Sequence, residues 1–140
     1  MNVEQIVLNP AILEEIRVQA LEEMPNEACG YLAGDIDESG RRIAVKRIPM
    51  TNVDASPEHF SFSPKEQFAA VKEAREAGLN LISVYHSHPE TPARMSDEDI
   101  RLANDTQTVY LIYSVSDENI KGFTIDREKT VSSYPVVVTE

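Results

Sequence analysis

The chain has 140 residues, 41% of them hydrophobic, and 24 acidic against 13 basic side chains give a net charge of −11. This composition fits one packed domain, residues 1–140, and excludes a disordered chain; a surface this acidic also repels the phosphate backbone of a nucleic acid. No run nears the roughly 18–20 apolar residues of a membrane span, no basic and apolar leader opens the chain, and the single cysteine, Cys29, excludes an internal disulfide or a cysteine-rich metal site. A cytoplasmic protein is expected.

The first element is a helix near Asn9 to Glu23. Asn9 can cap it, Pro10 suits the first helical position, and Ile12, Leu13, Ile16, Ala20 and Leu21 recur at helical spacing. A hairpin follows, with Ala28 to Ile36 and Arg41 to Pro49 as strands and Asp37-Glu38-Ser39-Gly40 as the turn. Thr51 to Glu58 reads as a polar loop, then Phe60 and Phe62 alternate with serines as a short strand. Ser63-Pro64-Lys65-Glu66 opens a second helix as a capping box, with Phe68, Val71, Ala74 and Ala77 as its apolar face. Leu79 to His86 is a buried strand, a third helix starts near Ser96, and three strands follow at Val109 to Val115, Ile120 to Asp126 and Val131 to Val138. The order predicts a mixed α/β or α+β domain, since helices and strands do not alternate regularly enough for a doubly wound sheet.

The chemistry concentrates in His86-Ser87-His88-Pro89 and in Ser96-Asp97-Glu98-Asp99. Residues two apart on a strand share a face, so His86 and His88 can reach one ion. Pro89 turns the chain into a loop that can bring Asp99 back towards them. Two imidazoles and one carboxylate, with water in the fourth position, form a set that catalytic zinc sites use. Ser96 and Asp99 also read as a helix cap and a first-turn carboxylate, and the two readings are compatible. Taken alone, Glu27 is a surface carboxylate ahead of a strand. Cys29, two residues on, reads as a small buried thiol. His59 lies in a polar loop without a spaced partner and is left out of the site.

The pattern His86-x-His88-Pro89-x6-Ser96-x2-Asp99 resembles the signature of the JAMM (also called MPN+) metalloproteases. Pro25-Asn26-Glu27-Ala28-Cys29-Gly30-Tyr31-Leu32-Ala33-Gly34 resembles the upstream stretch of the compact prokaryotic members, Pro-x-Glu-x-Cys-Gly-x-Leu-x-Gly. One departure is Met95, where many relatives carry proline. The resemblance implies one MPN-like domain, a curved mixed β-sheet flanked by helices. It implies one zinc ion per chain on His86, His88 and Asp99, with Glu27 contacting the metal-bound water and Ser96 donating to the oxyanion. It further implies a hydrolase acting after the C-terminal Gly-Gly of a ubiquitin-like or sulfur-carrier protein. Its leaving group would be a peptide, a lysine side chain or a single amino acid such as cysteine. A non-catalytic MPN-type binding scaffold is the alternative, although such relatives lack ligands that are present here. A zinc deaminase would need a Pro-Cys-x-x-Cys element, which one cysteine cannot supply. The loop from Thr51 to Pro57, between the two motifs, is a candidate gate.

Overall fold

The computed structural model describes residues 2–140; Met1 lies outside the described residues. The elements run β1 (Ile6–Leu8), α1 (Pro10–Glu22), β2 (Cys29–Ile36), β3 (Arg42–Met50), α2 (Pro64–Glu76), β4 (Asn80–His88), α3 (Asp97–Leu102), β5 (Val109–Ser114), β6 (Asn119–Ile125), β7 (Val131–Tyr134) and β8 (Val136–Val138). The strands form one sheet in the order β7-β6-β5-β4-β2-β3-β1-β8. β1 pairs in parallel with β3 and β8, and β4 with β5; every other pairing is antiparallel. The fold is therefore the mixed α+β class read from the sequence.

β7 and β8 occupy opposite edges of this sheet, yet only Pro135 separates them in sequence. The two edges must meet, so the sheet curls nearly into a barrel. At the seam the Ile6 N–H donates to the Pro135 carbonyl (3.0 Å). Gly122 lies under the seam, where a Cβ would sit 2.6 Å from the Tyr134 carbonyl oxygen.

Helix α1 starts as expected, with the Asn9 side chain accepting from the Ile12 N–H (2.9 Å) and Pro10 in the first turn. It buries Ile12, Ile16 and Ala20 against Leu32, Ile82, Tyr85, Leu111 and Tyr134 on one face of the sheet. Taking Ile16 out of water contributes about 1.5–3 kcal/mol. Helix α2 packs on the opposite face, against Cys29, Ala33, Ile48 and Met50. Its inward residues are Ala70 and Ala74, and the expected core residues Phe68 and Val71 are 74% and 42% exposed. Small side chains let the helix approach the sheet closely, whereas a Phe in the contact would hold it off.

Four other expectations change. Ser63 caps α2, but Glu66 does not close the box; its carboxylate accepts from the Thr51 N–H (2.6 Å) and hydroxyl (3.0 Å) and so tethers the preceding loop. Phe60 and Phe62 lie in irregular chain, because their rings pack on the site and their backbone joins no strand. The last strand is two, broken at Pro135, which has no N–H for a ladder. β1 is a further short strand, buried at Ile6 and Leu8. No helix among the described residues is long and apolar enough to cross a membrane.

Candidate metal centre

Strand β4 is hydrogen-bonded on both sides, to β2 with Cys29 opposite His86, and to β5 with Ile112 opposite His86 and Ser114 opposite His88. An interior strand holds its side chains rigidly. Val84, His86 and His88 share one face, while Tyr85 points to the α1 side and packs in that core. The strand runs two residues past the expected end, so both histidines stand on regular backbone.

Three donor atoms converge from this face. His86 Nε2 lies 3.2 Å from His88 Nε2 and 3.2 Å from Asp99 Oδ1, and His88 Nε2 lies 2.9 Å from Asp99 Oδ2. His88 Nδ1 lies 2.9 Å from the Pro92 carbonyl, which can only accept, so Nδ1 carries a proton and Nε2 is the nitrogen turned to the cluster. Four ligands around zinc at about 2.0–2.1 Å stand roughly 3.3 Å apart, close to the observed edges. His86 Nδ1 is buried with no hydrogen-bond partner among the described residues.

Glu27 approaches from the end of β2. Its Oε2 is 3.9 Å from His88 Nε2, and its Oε1 is buried without a partner. Glu27, His86 and His88 offer ligand atoms within 4.8 Å of one another. The cluster is withdrawn from the surface: Glu27, His86, His88 and Asp99 are all buried. Burial, with Asp99 and Glu58 adding, pushes the Glu27 carboxyl up to about 9. Burial also opposes charge on Asp99, but hydrogen bonds from His86, His88 and the Ser96 N–H outweigh it and hold that carboxyl well below its usual range.

Two residues that sequence reasoning did not single out fix Glu27. Ser87 Oγ accepts from the Ala28 N–H (2.8 Å), and the Ser87 N–H donates to the Ala28 carbonyl (2.9 Å). Buried Asn52 donates to the Glu27 and His59 carbonyls (both 3.1 Å) and accepts from the Asp54 N–H (3.1 Å). The Glu27 N–H donates to the Ser56 carbonyl (2.8 Å). The 51–57 loop is thus knotted to the backbone of Glu27. Only the serine inside the His-Ser-His run and an Asn at the loop start hinted at this.

Ser96 caps α3. Its Oγ accepts from the Asp99 N–H (3.1 Å), its N–H donates to Asp99 Oδ2 (3.0 Å), and its own hydroxyl hydrogen remains free to point elsewhere. The cap therefore aims the Asp99 carboxylate at the histidines. Ser96 and His88 border an open groove with Thr91 and Arg94. On the other side, an apolar cavity of about 260 Å³ opens against His86 and Asp99. Phe60 forms one wall, stacked on His86 at 4.8 Å between ring centroids. His59, excluded on spacing, stands on the rim of that cavity, paired with Asp54 at 3.0 Å. Cys29 lies beneath as the small buried thiol expected, and burial pushes its thiol up.

The model for prokaryotic homologues of the JAB domain matches residues 9–126. Among curated relatives, the CysO-cysteine peptidase of Mycobacterium tuberculosis is 29% identical over 138 residues, 96% of this chain and 92% of that protein. The probable TtuB-protein conjugate cleaving protease of Thermus thermophilus is 33% identical over 122 residues, 86% of this chain and 76% of that protein. The solution structure of DSY2949 from Desulfitobacterium hafniense is 40% identical and matches with a TM-score of 0.88, covering 96% of this chain and 93% of that one. A curled α+β sheet with a buried Glu/His/His cluster is a JAB/MPN-type domain. The chain belongs to the prokaryotic JAB family, and it is an enzyme of the peptidase class that its curated relatives represent.

Proposed function

We propose that the protein is a zinc-dependent peptidase that cuts after the C-terminal Gly-Gly of a ubiquitin-like or sulfur-carrier protein. The released group would be a peptide, a lysine-linked protein or a single amino acid. The observation that carries this reading is the convergence of His86 Nε2, His88 Nε2 and an Asp99 oxygen, with edges of 2.9–3.2 Å, beside the buried Glu27 carboxylate. Two imidazoles and a carboxylate suit zinc better than calcium or magnesium, which prefer all-oxygen shells. The relatives named for CysO-cysteine and TtuB-protein conjugates support a carrier-protein adduct as substrate.

His86, His88 and Asp99 would hold the ion, with residues 1–140 forming one domain around it. Zinc bound there supplies Lewis acidity and a water whose pKa falls to about 7. The charge of an ion held beside it would keep Glu27 ionised, so that it would take the proton as the substrate carbonyl is attacked and would pass it to the leaving amine. Its unpartnered Oε1 is free to do so. The free Ser96 hydroxyl donates to the carbonyl oxygen as charge develops there. His88 Nδ1–H on the Pro92 carbonyl keeps that ring in the ligating tautomer.

Zinc content and cleavage of a carrier extended beyond Gly-Gly test this. One zinc per chain and chelator-sensitive cleavage are expected, both lost in the His86→Ala, His88→Ala double variant. Protein that takes up no metal after reloading would instead leave the binding scaffold.

A further inference from the structure

The apolar cavity beside the cluster has no part in the chemistry above. It is bounded by Phe62, Met95, Leu102 and Tyr110, and it touches His86 and Asp99. Its polar neighbours Asp54 and His59 pair with each other at 3.0 Å. A cavity touching two groups of the cluster lies within one residue of the bond to be cut.

We infer that this cavity receives the side chain of the residue immediately after Gly-Gly and selects leaving groups with an apolar side chain. The inference rests on the proposed cleavage after Gly-Gly and deepens it. The two residues before the bond have no side chains. The next side chain upstream hangs from a Cα roughly 7 Å further along an extended tail, at about 3.3–3.6 Å per residue. The side chain nearest the cluster therefore comes from the leaving group. A volume of about 260 Å³ admits a Met or Leu side chain with its solvent displaced, and Cys with room to spare. An acidic side chain there would lose its water with no lysine or arginine among the described residues that line the cavity, and beside Asp99. Leu102 ends α3 and is 44% exposed, so it forms the mouth of the cavity and tolerates substitution.

The test uses a sulfur-carrier protein ending in Gly-Gly, extended by one residue X, with X as Ala, Cys, Met, Leu, Lys or Asp. The zinc-loaded protein is expected to favour Met and Leu over Asp by about 10-fold or more in kcat/KM, the usual discrimination of a hydrophobic pocket. Leu102→Glu is expected to invert the order of Leu and Lys. That is a ratio within one variant, so general loss of activity cancels. Calorimetric binding of the same extended carriers to metal-free protein should follow the same order without turnover. The same rate for every X would overturn the assignment, as would a preference that follows the residue before Gly-Gly instead. Failure to cleave any member removes the proposed cleavage after Gly-Gly, whereas cleavage with a flat profile removes only the pocket.

Discussion

Ser87→Ala tests whether Glu27 is fixed through the back of the strand pair. Ser87 is 1% exposed, and its Oγ accepts the Ala28 N–H at 2.8 Å. The substitution removes one hydroxyl and leaves that buried N–H without a partner, since no other acceptor among the described residues reaches it. An unsatisfied buried amide costs about 1–3 kcal/mol. At about 2.1 cal/mol/K of unfolding entropy per residue, that cost lowers Tm by roughly 3–10 °C in a chain of 140 residues. Thermal unfolding of the metal-free protein, followed by circular dichroism, reads this directly. Zinc content should stay at the wild-type level, because Ser87 points away from the face that carries His86 and His88. Turnover should fall, because Glu27 adjoins the released amide. An unchanged Tm together with unchanged turnover would refute the reasoning: the amide would then have found water or another acceptor, and the tie would not matter.

Glu27→Gln should keep zinc and abolish cleavage, read by metal analysis and product formation; retained turnover would remove Glu27 as the proton carrier. In the metal-free protein Glu27 is raised from 4.5 to about 9, chiefly by burial. Between those values the native state holds a proton that the unfolded chain has released, so stability falls as pH rises, by at most about 1.4 kcal/mol per pH unit. Glu27→Gln should flatten that slope in denaturant titrations. Asp99 has the opposite sign: its stabilisation is present above its usual value of 3.8 and is lost as pH falls below it. Asp99→Ala should sharply lower zinc content, and unchanged stoichiometry would leave Asp99 as a cap residue alone. Ser96→Ala should cost about 1 kcal/mol through the lost cap and on the order of 100-fold in rate through the lost donor. A rate that does not change would leave only the cap.

His86, His88, Ser96 and Asp99 are legible because their signals are local, whereas Glu27 reads alone as a surface carboxylate and is in fact buried. His86 and His88 are two apart on an apolar run, and the Ser96–Asp99 cap is written in four consecutive residues. What joins distant segments was not legible. The Ser87–Ala28 tie and the Asn52 clamp depend on which strands become neighbours, and nothing in either residue type announces that. His59 was set aside on sequence spacing, but the 51–62 loop folds back and brings it to the cavity rim. Phe60 and Phe62 mimic strand alternation because two aromatic side chains must face inward, here onto His86 and Tyr31. Pro135 could have been read as a break, since proline interrupts a ladder. β1 is three residues long, too short for any periodicity to emerge.

The meeting of the sheet's two edges also sets when the molecule can be finished. Ile6, Val7 and Leu8 take their partners from Val136, Val137 and Val138, nearly the whole length of the chain away. During synthesis β1 must wait for β8 to leave the ribosome before it has a neighbour on that side. Contacts of such long sequence separation slow folding. Until they form, both ends of the ladder are open to strands of other chains. In the finished molecule β8 covers the edge of β1, and Pro135 links the two outermost strands directly. A truncation that removes residues 136–138 would leave β1 as an uncovered edge, and would show first as loss of soluble protein.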